Sequence, residues 1–187
     1  MGDLSFLVNG NPSSPSSITD SIRTLKQCSI IFTDAWKDTP QDLITASEVS
    51  SKAMKCLDHI INEIMRNRDQ LRSAGTYATS PLKTHLDGFA GLSVSPVTRN
   101  NQDDLPRLGA GNGNLNFTGL TPSTISMEQL LNKIKHRRTN SLNFRLDLPD
   151  LHALIVGVDK MNGNPDCIVE FHIRHFCASC MNIAQIL

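Results

Sequence analysis

Residues 141–175 read SLNFRLDLPDLHALIVGVDKMNGNPDCIVEFHIRH, and this stretch decides the fold. Leu142, Phe144, Leu146 and Leu148 alternate with Asn143, Arg145 and Asp147. A period of two belongs to a strand with one buried face. Leu151 to Val158 is apolar on both faces, which suits a central strand. Asn162-Gly163-Asn164-Pro165 is turn chemistry. Val169, Phe171 and Ile173 then alternate with Glu170 and His172. The pattern predicts a small antiparallel β-meander, followed by a C-terminal helix from about Arg174.

Upstream the period changes to that of helices. Ile18, Ile22, Leu25, Cys28, Phe32 and Trp36 step by three or four, predicting a helix from about Ser16 to Lys37. Thr39, Pro40 and Asp42 read as an N-cap, a first-turn proline and an acidic third position. They open a second helix over 40–72, whose stripe is Ala46, Val49, Ala53, Leu57, Ile60 and Ile64. At 1.5 Å per residue it is roughly 50 Å long. The short link predicts a helical hairpin. Ser80-Pro81 opens a shorter helix carrying Leu82, Leu86 and Phe89 and ending near Gly91. Ser126 and Gln129 form a capping box before another, with Met127, Leu130, Leu131 and Ile134. A short strand is expected at 4–8.

The expected fold is therefore α+β: a long helical hairpin and shorter helices packed on the meander. Residues 1–92 and 122–187 are read as parts of one domain. Residues 93–121 concentrate Pro, Gly and Asn without periodicity, and are expected to form a flexible, exposed insert.

Composition narrows function by exclusion. Of 187 residues, 18 are basic and 18 acidic. Neither half is polarised, so no global field attracts nucleic acid or an anionic membrane. No apolar run approaches the roughly 18 residues of a membrane span. No basic residue precedes Arg23, unlike a secretory leader. Five cysteines, an odd and uneven set, suit a reducing cytoplasm.

Two clusters are candidates for chemistry. Between Glu128 and Asp147 there is no acid, while Lys133, Lys135, Arg137, Arg138 and Arg145 are basic, a candidate phosphate-contacting set. Its sharper form is an RNase site: His136 for proton transfer, with Arg137 and Arg138 for developing phosphate charge. The bland alternative is a helix C-terminus whose cations complement the dipole. Arg138-Thr139-Asn140-Ser141 also suits a basophilic kinase.

The second cluster is His172, His175, Cys177 and Cys180. These are zinc-ligand types, but four ligands within nine residues crowd a tetrahedral site. The bland alternative is core cysteines. The segment Ile168-Val169-Glu170-Phe171 with Cys177-Ala178-Ser179-Cys180 resembles the active-site strand and helix of thioredoxins over about twenty residues. That resemblance implies a thiol pair at a helix N-terminus. It departs in one extra residue before the motif and in lacking a proline between the cysteines.

The reading that follows is a small cytoplasmic, non-enzymatic interaction or regulatory module. It would bind a protein partner or self-associate through the long second helix, with no cofactor. A small RNase or RNA-binding protein, and a thiol or zinc protein, are the alternatives.

Overall fold

The structure, a computed structural model, describes residues 17–147, 151–160, 163 and 165–187. The strand expected at 4–8 and part of the 162–165 turn lie outside them. Among the described residues six α-helices accompany one five-stranded antiparallel sheet, an α+β fold. No helix among them is long and apolar enough to cross a membrane.

Helix α1 is Ile18–Lys37, capped by Ser17, whose hydroxyl accepts from the Asp20 N–H at 3.1 Å. Helix α2 is Leu43–Ser73. Its cap is Asp42 rather than Thr39, because the Asp42 carboxylate accepts from the Thr45 N–H at 3.0 Å. The two form a hairpin that buries Ile22 and Leu25 with Leu57, Ile60, Ile61 and Ile64. Each such side chain, fully buried, contributes about 1.5–3 kcal/mol.

Helix α3, Pro81–Asp87, ends sooner than its sequence suggests. The chain turns at Gly88 into strand β1, Phe89–Val94, where a helix end was expected. Gly91 makes that strand possible. A Cβ there would stand 2.5 Å from the Glu170 carbonyl oxygen, so only glycine lets β1 lie this close to its neighbour. Helix α4 is Arg99–Asp104 and strand β2 is Ser123–Ser126. Helix α5, Met127–Lys135, has the expected capping box. Strands β3, Arg137–Asp147, β4, Leu151–Val158, and β5, Cys167–His172, make the expected meander. Helix α6 is Ile173–Ala184. The strand order is β2-β1-β5-β4-β3, so β1 and β2 extend the meander past β5.

Both faces of the sheet are covered. Val156, Val158, Cys167, Val169 and Phe171 face the helices α1, α2, α5 and α6. Ala153, Ile155 and Ile168 face the other way, onto Val94, Val97, Leu105 and Leu115. The stretch 93–121 is thus a second layer: Val94, Val97, Leu105 and Leu115 are buried where exposure was expected, while Leu120 is exposed. Gln102 anchors it: wholly buried, its amide donates to the carbonyls of Val158 and Cys167 at 2.8 and 3.2 Å. Arg145 Nη1 donates to Gly113 O at 2.9 Å, and the Gly113 N–H to Phe144 O at 3.0 Å, so the layer also wraps the edge strand.

Candidate functional site

The stripe of α1 outlasts the packed core. Past Leu25 it carries Cys28, Phe32 and Trp36, which face the first half of α2. There α2 offers small residues, Ala46, Ser50 and Ala53, beside Val49 and Met54. Small side chains opposite large rings leave space. Strands β3 and β4 close the far side with Leu142, Phe144, His152 and Leu154. The result is an open cavity of about 380 Å³.

Its deep wall is aromatic. Phe144 meets Phe32 and Trp36 edge-to-face, each with ring centroids 4.8 Å apart. The His152 ring stacks on Phe32 at 4.9 Å. These geometries suit the ring quadrupoles. No Lys, Arg, Asp or Glu lines the cavity. Burial pushes the His152 imidazole down to about 4, so it is neutral at physiological pH. Its Nδ1 lies 3.1 Å from Ser29 Oγ. Serine and histidine are the residue types of a nucleophile and its base. Here the imidazole is a weak base, and among the described residues no carboxylate is paired with it.

The basic set does not converge. Arg137 faces α2, where its guanidinium donates twice to the Asp58 carboxylate, at 2.7 and 2.9 Å. Arg138 faces the other layer. It donates to Gln102 Oε1 at 3.0 Å and pairs with Asp103 at 3.1 Å and Asp159 at 3.5 Å. Neighbouring strand residues point to opposite faces. A bulge follows between Arg137 and Leu142, where four residues of β3 stand opposite one of β4. Arg145 is tied to Asp147 at 2.6 Å and Glu170 at 2.8 Å. Lys133 donates to Cys167 Sγ at 3.0 Å. His136 caps α5, half-buried, and Lys135 is exposed. Ser141 of the kinase-like motif is fully buried and donates to Gln102 O at 2.6 Å.

The cysteine and histidine set divides as well. Cys177 and Cys180 lie in the core under α6. Burial pushes the Cys177 thiol up to about 12 and the Cys180 thiol well above the ordinary value, so both stay protonated. His175 is exposed, and its ring stands 5.4 Å from that of His172. Among the described residues no three His, Cys, Asp or Glu side chains gather in a metal-holding group.

Comparison with family models, with curated proteins and with solved structures found no match. The site therefore rests on geometry. Sequence reading placed Phe32 and Trp36 on a core stripe and passed over His152 altogether. One signal was available: His152 is the single polar side chain in the run Leu151–Val158.

Proposed function

We propose that the protein is a non-enzymatic binding module that works by taking an apolar group into the cavity between the α1–α2 hairpin and strands β3 and β4. The observation that carries this is the lining: mostly aromatic and aliphatic side chains, no charged residue, and a few neutral polar groups, among them Ser47, Ser50, Ser51, Asn143 and the hydrogen-bonded Ser29–His152 pair. Ligand sites have this character and this size. The weakly basic His152 and the protonated core thiols favour binding over catalysis. The proposed setting is the cytoplasm, where a free thiol at every cysteine is the ordinary state. Leu43 and Ile44, 57% and 76% exposed at the start of α2, offer a partner an apolar landing beside the cavity mouth.

The test is methyl NMR with toluene as a neutral probe. Shifts should concentrate on Val49, Met54, Leu57, Leu142 and Leu154, and vanish in Ala53→Phe, which fills the space. Shifts confined to Leu43 and Ile44, or none at all, would refute the reading.

A further inference from the structure

A second cavity, of about 290 Å³, adjoins the apolar one. Ser29, His152 and Ile173 line both. The second chamber differs in kind. Its other residues are Lys26, Ile30, Thr33 and Asp34 on α1, and Arg174 at the start of α6. Lys26 and Arg174 form no ion pair among the described residues, unlike Arg137, Arg138 and Arg145. Two cations against one acid leave the chamber one positive charge in excess.

We propose that the two chambers form one bipartite site for a small anionic amphiphile, its apolar body among Phe32, Met54, Phe144 and Leu154 and its carboxylate beside Lys26 and Arg174. The proposal rests on the binding-module reading and names the ligand class. Three observations carry it. The apolar chamber has no charged residue, so a charged head has no partner there and its desolvation is costly. The residues common to both chambers include two hydrogen-bonding groups, Ser29 Oγ and the His152 imidazole. The second chamber holds two uncommitted cations, one a guanidinium whose fork matches a carboxylate. A single excess charge suits a monoanion better than a phosphate. The size of the first chamber suits a medium acyl chain or an aromatic acid.

Trp36 is the only tryptophan of the chain and lines the apolar chamber, so its fluorescence reports occupancy. Decanoate and decanol are titrated separately below micellar concentrations. Both should give a saturable change, with decanoate about tenfold tighter. The double variant Lys26→Ala/Arg174→Ala alters two exposed side chains and should fold. It should lose that tenfold preference while binding decanol as before. Equal affinity of the native protein for both probes, or a preference for decanoate that survives in the double variant, overturns the anionic-head assignment but leaves the binding-module reading standing. Binding of neither overturns both.

Discussion

At the scale of single residues, the most informative side chain is His152. Its imidazole sits at about 4 because burial under Phe32 disfavours the charged form. In the unfolded chain it takes up a proton below about 6.5. The folded state resists protonation until about 4. Between those values the unfolded state binds more protons, so stability falls as pH falls, and it levels off below 4. The total loss is at most on the order of 3 kcal/mol. Asp42 and Asp147 are held below the usual carboxylate range by Thr45 and Arg145. Their contributions fade only at lower pH, outside this window. Urea unfolding at pH 7, 5.5 and 4.5 should therefore show a steady decline, and His152→Leu should flatten it. An unchanged slope in that variant would place the titrating group elsewhere.

At the scale of elements, the legible parts were those with a period. Helices α1 and α2 carry a repeat of three to four and strands β3 and β5 a repeat of two, while β4 was legible instead as a bounded apolar run suited to a central strand. Strand β1 has no such repeat: it is six residues long, contains a glycine and packs on both faces. Strand β2, Ser123–Ser126, is polar apart from Ile125 and sits at the sheet edge. The second layer is held by isolated apolar residues among turn formers, and isolated residues leave no pattern. Its anchoring can be measured. Leu105 is fully buried, and Leu105→Ala should cost about 2–4 kcal/mol in urea unfolding. A loss under about 0.5 kcal/mol would return 93–121 to the status of an exposed insert. Helix α6 makes its own prediction. With Cys177 and Cys180 buried and protonated, iodoacetamide should label them only after unfolding. A chelator should move the melting midpoint by less than about 2 °C. Fast native labelling would revive the thiol reading, and a large chelator effect the zinc reading.

At the scale of the whole molecule, the candidate site was illegible for a simple reason. Its walls come from positions as far apart as Leu25 and Ile173, and the space exists only because small residues of α2 face large rings of α1 and β3. The basic stretch shows the converse: legible in the sequence, and then redistributed by folding. Five cations between Glu128 and Asp147 look like one patch, but strand alternation sends Arg137 and Arg138 to opposite faces, onto Asp58 and onto Gln102 and Asp103. Arg137, Arg138 and Arg145 each meet a carboxylate. A phosphate must displace those acids before it gains anything, and the chain carries no net charge to draw it in. Lys135 stays exposed, and one phosphate contact supports only weak, salt-sensitive binding. Fluorescence anisotropy with single-stranded RNA should therefore show no submicromolar binding at physiological salt. Arg137→Ala/Arg138→Ala should leave whatever weak binding appears at low salt nearly unchanged. The same double variant should be destabilised, chiefly because it empties two largely buried positions; Asp58 and Asp103, nearly half exposed, turn to water instead. Tight binding lost in the variant would replace the binding-module reading with an RNA-binding one. RNA cleavage abolished by His136→Ala would make the protein a nuclease.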